Sequence, residues 1–226
     1  MEPRLAFGAI GYDMAHLLGG VVLLLSFALL YQRRIGAVVN TYAAQAVVLA
    51  AAAAWQGWAQ DAPHLYVTAL ITVAAKGVAI PLALHGFIRR LAIGRTVDTA
   101  LGVFATMAMG LGLVTLAILA VLPVTPEAEA LTREDLALAL SVVLLGLLMM
   151  VTRRSALTQV IGFMSLENGL ILAAVGVAGM PMVVELSVAV LVLVAFIVFG
   201  VFFFRIRARF DSLDAGHLDR VGEAHR

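Results

Sequence analysis

The sequence predicts an all-α, polytopic membrane protein of about seven transmembrane helices, and three observations predict it. Hydrophobic residues make up 63% of the 226 and charged residues only 13%, whereas a soluble domain carries nearer a quarter charged. The apolar residues fall into runs close to the length of about 20 residues that a helix needs to cross about 30 Å of hydrocarbon. The basic residues are confined largely to alternate connections between those runs. A chain of this size cannot bury so much apolar surface in its own core, so the remaining solvent for it is lipid, where backbone hydrogen bonds must close within each segment. The alternating ten-residue strands of a membrane β-barrel are not found in this sequence.

The first run, Ala15–Tyr31, is preceded by acidic Glu2 and Asp13 and followed by Arg33-Arg34 as a stop-transfer pair. That pattern is expected of a membrane helix rather than a signal peptide. The second, Ile35–Trp55, contains Gln45 and ends in the alanines Ala50–Ala54. The third, Leu65–His85, carries Lys76 and then Pro81, which has no N–H to donate and so frees the carbonyl of Gly77. The fourth, Val97–Leu122, holds Gly110-Leu111-Gly112, small residues suited to close helix contact. The fifth, Leu136–Val151, is short and leans on flanking charges, and Leu157–Ala178 and Met182–Phe204 complete the set.

The arginines give this arrangement an orientation. Arg33, Arg34, Arg89, Arg90, Arg95, Arg153, Arg154, Arg205, Arg207, Arg209, Arg220 and Arg226 all fall on one side of a seven-helix arrangement. The other side has Arg4 and Arg133, and Lys76 lies inside a helix. The positive-inside rule then puts the N-terminus outside and the C-terminal tail in the cytoplasm. The outer connections, Gln56–His64, Pro123–Asp135 and Gly179–Pro181, are too short to house an extracellular enzyme.

Composition also excludes. A net charge of +1 gives no footprint for nucleic acid. The chain has no cysteine, which excludes disulfides, thiolate zinc sites and cysteine-bound iron–sulfur clusters in the chain itself. No P-loop, dinucleotide fingerprint, nucleophile elbow or paired-histidine zinc motif occurs in a usable context. We therefore expect no cofactor, no metal and no catalytic residue in this chain, whose partners are the lipid bilayer and other membrane subunits.

Two ionisable residues sit where lipid makes them expensive, at about 2.5–3.5 kcal/mol for a charge at a helix centre on insertion scales. Lys76 is near the middle of the third run and Glu167 near the middle of the sixth, in Ser165-Leu166-Glu167-Asn168-Gly169. Both are too deep to reach the interface easily, so they must face protein, water or each other. One reading is a proton-transfer position, because a carboxyl or amine held at low dielectric can load and release a proton near neutral pH. The other is structural: a buried Lys–Glu ion pair, or Glu167 hydrogen-bonded to Asn168 and Ser165. Glu185, near the outer end of the seventh run, is a third proton-transfer candidate, and equally an interfacial carboxylate at a helix N-terminus. Asp13 and His16 lie at the outer end of the first run and His85 at the inner end of the third; such residues are usually interfacial packing. A weak internal echo relates an Arg-Arg turn followed by a Gln45-bearing helix to Arg153-Arg154 followed by the Glu167-bearing helix, with the fourth run as a joint.

The stretch Arg153-Arg154-Ser155-Ala156-Leu157-Thr158-Gln159-Val160-Ile161-Gly162-Phe163-Met164-Ser165-Leu166-Glu167-Asn168-Gly169 resembles the hydrogenase-4 component E family. The helix with Lys76 and Pro81 resembles the same family, as does the tail Leu213-Asp214-Ala215-Gly216-His217-Leu218. The last three runs are similar to the small K subunit of respiratory complex I and the C subunit of multisubunit sodium/proton antiporters. The resemblance implies a bacterial inner-membrane subunit beside larger antiporter-like membrane subunits and a redox module, with Glu167 in the place of those subunits' mid-membrane glutamate. It divides the chain into an N-terminal three-helix module (1–96), a linking fourth helix and outer loop (97–134), a C-terminal three-helix module (135–204) and a cytoplasmic tail (205–226). Two features depart from the pattern. Five residues separate Gly162 from Glu167, about a helical turn more than in the complex I subunit. The depth of its second carboxylate is occupied here by Leu191-Val192-Leu193, with Glu185 about two turns outward. A subunit of a cation/proton antiporter without a redox module, and a structural membrane scaffold, are the alternatives.

The arginine distribution generates a topological prediction: a reporter fused to the C-terminus is active when it requires the cytoplasm and silent when it requires export. A fusion active only outside the membrane would reject the orientation.

Overall fold

The computed structural model describes residues 3–90, 97, 99–124 and 130–176. The seventh run, Glu185 and the tail lie outside the described residues. What is described is all-helical: α1 (Pro3–Tyr31), α2 (Ile35–Ala59), α3 (His64–Ile71), a π-helical segment (Thr72–Ala79), α4 (Ile80–Arg90), α5 (Val103–Val124), α6 (Ala130–Thr152) and α7 (Ala156–Gly176). Among the described residues six stretches are long and apolar enough to cross a membrane: Asp13–Tyr31, Ile35–Ala59, His64–Gly86, Val103–Pro123, Arg133–Thr152 and Ala156–Gly176. They are the first six runs of the sequence. The fifth is longer than its apolar residues suggest, because α6 begins at Ala130 and takes Arg133, Glu134 and Asp135 into its first turns. The fourth begins later than expected. Val97 donates its N–H to the Arg33 carbonyl (2.7 Å) and Ala100 to that of Thr152 (2.8 Å), so these two residues are spent on loop contacts and α5 starts at Val103.

Helix α2 packs against α1, α7 and the α3–π–α4 rod, while α6 packs against α1, α5 and α7. The centre is therefore α1, α2, α6 and α7, with the rod on one flank and α5 on another. The tightest seam is between α6 and α7, and glycine makes it. A Cβ on Gly146 would lie 2.5 Å from the Leu166 backbone nitrogen, one on Gly169 2.8 Å from that of Val143, and one on Gly162 3.0 Å from that of Met150. Backbones this close need residues without side chains, as membrane helix pairs commonly do. Gly110 on α5 admits side-chain tips rather than backbone, from Phe27 and Leu145, whereas Gly112 faces open space.

The core is stratified. One apolar layer gathers Leu29, Tyr42, Leu145, Met149, Ile161 and Met164, and a second gathers Val22, Leu49, Ala139, Val142 and Leu172. On α1, α2 and α7 the residues between these two layers are polar and buried: Ser26, Gln45, and Ser165 with Glu167 and Asn168. A third apolar layer, with Ala50, Ala53, Leu65, Ala69 and Val175, lies at the far end of α2 and α7.

Each end is closed by specific bonds. At the far end α2 stops where Asp61 adopts a left-handed conformation (φ 51°) and the Ala62 N–H reaches back to the Gly57 carbonyl at 2.9 Å. This is a Schellman closure, with aspartate in the position glycine usually takes. Gln60 Nε2 then donates to the Val175 carbonyl (3.1 Å), tying α2 to α7. At the opposite end, Arg153 Nη2 donates to the carbonyls of Leu29, Leu30 and Gln32, each at 2.8 Å. These include C-terminal carbonyls of α1 with no partner in the helix, and a cation there also suits the helix dipole.

The glycine seam gives a stability prediction. Gly146→Ala must push α7 away or distort it, and overpacking of this kind costs about 1–3 kcal/mol. Gly20→Ala meets nothing within 4 Å and gains up to about 1 kcal/mol of helix propensity. Unfolding in detergent should therefore show a lowered midpoint for the first variant and an unchanged or raised one for the second.

Candidate functional site

The rod that carries Lys76 is not a continuous α-helix. Pro81 cannot donate a backbone hydrogen bond, and just before it the Ile80 N–H reaches five residues back, to the Ala75 carbonyl. The chain winds as a π-helix over Thr72–Ala79, and its two buried residues are Thr72 and Lys76. The wider turn changes the direction in which side chains leave the rod, and π-helical turns occur frequently at functional sites.

Lys76 is 3% exposed and its ammonium lies 3.3 Å from Glu167 Oε2. It also donates to Asn168 Oδ1 at 3.0 Å. Asn168 Nδ2 donates in turn to Gln45 Oε1 (3.2 Å). Gln45 Nε2 donates to Ser26 Oγ (2.8 Å) and Ser165 Oγ (3.1 Å). Ser26 closes the chain on its own helix by donating to the Val22 carbonyl at 2.9 Å. The network thus joins α1, α2, the π-helical segment and α7. Sequence position alone brings Lys76, Glu167, Asn168 and Ser165 to mid-membrane depth; the structure adds Gln45 as the hub and Ser26 as its anchor. Ser165 and Asn168 bond to Gln45 and Lys76 rather than to Glu167. The two helices of the internal echo meet here, because Gln45 of α2 is bonded to Asn168, the neighbour of Glu167.

Two buried polar atoms in this region have no hydrogen-bond partner: Glu167 Oε2, which faces Lys76 without hydrogen-bond alignment, and the Tyr42 hydroxyl. Tyr42 is one turn before Gln45 on α2, fully buried, and within electrostatic reach of Glu167. Nothing in the sequence singles it out, since a tyrosine in an apolar helix reads as packing.

The remaining candidates among the described residues lie away from this network. His16 faces Asp135 (Nδ1 to Oδ1, 3.0 Å) and Glu134 (Nε2 to Oε2, 3.5 Å), joining α1 to α6 near the far end. Asp13 is exposed. His85 Nδ1 hydrogen-bonds the Pro81 carbonyl at 2.8 Å, one turn back in its own helix.

The arrangement defines a multi-pass α-helical membrane protein with a buried ion pair, supported by side-chain amides, at the heart of its helix bundle. It belongs to the same family as the uncharacterized protein Rv0085 of Mycobacterium tuberculosis, to which it is 30% identical over 207 residues, 91% of this chain and 92% of that protein. No protein-family model matches the chain, and no solved structure gives a significant match.

The orphan and the hub should respond oppositely to substitution. Tyr42→Phe removes a hydroxyl that has no partner, so stability should hold or rise. Gln45→Met strips partners from Asn168 and Ser26, and a buried group left unpaired costs about 1–3 kcal/mol. Chemical unfolding of the two variants in the same detergent checks both signs, and a clear loss for Tyr42→Phe would show that its hydroxyl is bonded.

Proposed function

We propose that this chain is a non-catalytic membrane subunit of a hydrogenase-4-like or complex I-like assembly in a bacterial inner membrane. In this reading it has seven transmembrane helices and an outward N-terminus. It contributes to proton translocation through Glu167, with Lys76 as its electrostatic partner, while electron chemistry resides in other subunits.

One observation carries the proposal: Lys76 has two partners. A lysine bonded only to Glu167 is left unpaired in a dry interior when the carboxylate takes up a proton, a loss that typically costs about 3–5 kcal/mol. Here the ammonium keeps the Asn168 Oδ1 contact at 3.0 Å. When Glu167 takes up a proton, its partner therefore keeps a hydrogen-bond acceptor, which lowers the cost of the charge change without supplying a counter-charge. The π-helical segment, which gives the lysine helix a local alternative winding, and the resemblance of the Glu167 helix to the hydrogenase-4 component E family support the same reading. Glu185 remains the outer candidate for a second transfer step.

Glu167→Gln tests it, because the amide keeps the volume of the side chain and abolishes its titration. The variant should assemble to the wild-type level and lose most proton-coupled activity, measured as ΔpH formation in inverted membrane vesicles, and Glu167→Asp should keep part of it. A scaffold role gives a different pattern, in which Glu167→Gln lowers assembly and the double change Lys76→Met, Glu167→Gln restores it. Normal coupling in a fully assembled Glu167→Gln complex would exclude the relay. Proteins retained after gentle detergent extraction separate a redox assembly, which brings a cysteine-bearing module, from an antiporter, which does not.

A further inference from the structure

A buried ammonium beside a buried carboxylate has a competing form. Moving one proton from Lys76 Nζ to Glu167 turns the ion pair into a neutral amine and a neutral carboxylic acid, and a dry interior favours neutral groups. Which form holds depends on what else the two groups touch. The ammonium lies 3.3 Å from Glu167 Oε2 and donates to Asn168 Oδ1 at 3.0 Å. Among the described residues Glu167 on α7 is the charge that faces Lys76, and Tyr42 on α2 is a further titratable group within reach of Glu167.

The side-chain bonds beyond Lys76 all run one way. An ammonium has donors only, so Asn168 must turn its oxygen to Lys76 and its Nδ2 away. That nitrogen donates to Gln45 Oε1 at 3.2 Å. Gln45 Nε2 is thereby turned to Ser26 Oγ at 2.8 Å and Ser165 Oγ at 3.1 Å. Ser26 accepts because its own proton is donated to the Val22 carbonyl, at 2.9 Å. Each link presents its acceptor towards Lys76. In the reverse polarity Asn168 would point N–H groups at Nζ, which suits only a neutral amine with a free lone pair, and Ser26 would release Val22 to donate to Gln45. The direction of the chain is therefore tied to the charge of the lysine. Ser26, Gln45, Ser165, Asn168 and Lys76 are all buried, where aligned dipoles are weakly screened and reinforce one another.

We propose that Gln45 is a positioning residue for the ion pair: by fixing the Asn168 amide, with Ser26 as its anchor, it keeps the shared proton on Lys76 and leaves Glu167 an empty carboxylate. Gln45 bonds to Asn168 and the two serines and acts on the charges through Asn168. In transport this leaves Glu167 ready to load, a consequence that rests on the role of Glu167 given above; the location of the proton does not.

Lys76 is the only lysine in the chain, so lysine carrying a heavy-nitrogen label at Nζ gives a single side-chain resonance. Solid-state NMR of the full chain in phosphatidylcholine vesicles then distinguishes ammonium from amine directly. The wild type should hold an ammonium at neutral pH and convert to the amine as the pH is raised. A charge-assisted hydrogen bond exceeds a neutral one by about tenfold in equilibrium constant. At the pH where half of the wild type is amine, about nine-tenths of Gln45→Met should therefore be amine, with Ser26→Ala between the two. Gln45→Glu keeps an acceptor for Asn168 in either protonation state, and should hold the ammonium at least as well as the wild type. A merely structural Gln45 gives another pattern, in which unfolding midpoints fall in both Gln45 variants while the lysine titrates as in the wild type. If Gln45→Met does not fold, Ser26→Ala, which removes a single oxygen far from both charges, carries the test. A neutral amine in the wild type at neutral pH, or wild-type titration of Lys76 in Ser26→Ala and in every folded Gln45 variant, would overturn the proposal. The resonance is read without transport, so coupling that survives Glu167→Gln rejects the relay and leaves this result standing.

Discussion

Hydrocarbon offers no hydrogen bond, and everything polar in this bundle is arranged around that fact. Lys76 and Glu167 cannot be hydrated from lipid, so the protein builds a solvent for them from its own amides and hydroxyls. The Asn168 oxygen accepts from the lysine, Gln45 accepts from Asn168, and two serines accept from Gln45. Each helix of the network commits a polar residue at one level, between an apolar layer on either side. The ion pair thus dictates composition on α1, α2 and α7 together, although the charges themselves sit on only two elements.

The same constraint accounts for the backbone. A proline in a membrane helix leaves a carbonyl to be re-satisfied, and local π-helical winding is one way to do so. The winding before Pro81 carries a bond from Ile80 to Ala75, and it sets the path by which Lys76 leaves the rod. Gly146, Gly162 and Gly169 bring the Glu167 helix backbone to backbone against α6.

Arg153 shows how one residue can satisfy two demands. As a charge after an apolar helix it belongs to the rule that sets topology. As a buried donor it closes the carbonyl end of α1, a neighbour more than a hundred residues earlier in the chain. Only the second role explains why it is buried while Arg154 beside it is exposed. Topology requires a positive charge near that point and is indifferent to which arginine turns inward.

Six spans, their approximate limits and the unusual depth of Lys76 and Glu167 were legible from residue order, because lipid imposes length and apolarity on each helix independently of its neighbours. The start of α5 was not, since Val97 and Ala100 are apolar enough for a span and are diverted by hydrogen bonds to other loops. Ser26, Gln45 and Tyr42 were not legible as parts of one region either. A serine in an apolar helix bonds its own backbone, and a tyrosine packs, whatever lies opposite. Gly162 and Gly169 are spaced as a seam, yet only the position of α6 shows what they admit. By itself, then, the sequence determined an all-helical membrane protein with two costly charges, since partition into lipid is a property of each segment alone. That Lys76 turns towards Glu167 and Asn168, 92 residues from the latter, and that Arg153 rather than Arg154 is buried, were decided only by tertiary packing. Those outcomes depend on which helix faces lie against each other, and pairwise geometry is not written in any one segment.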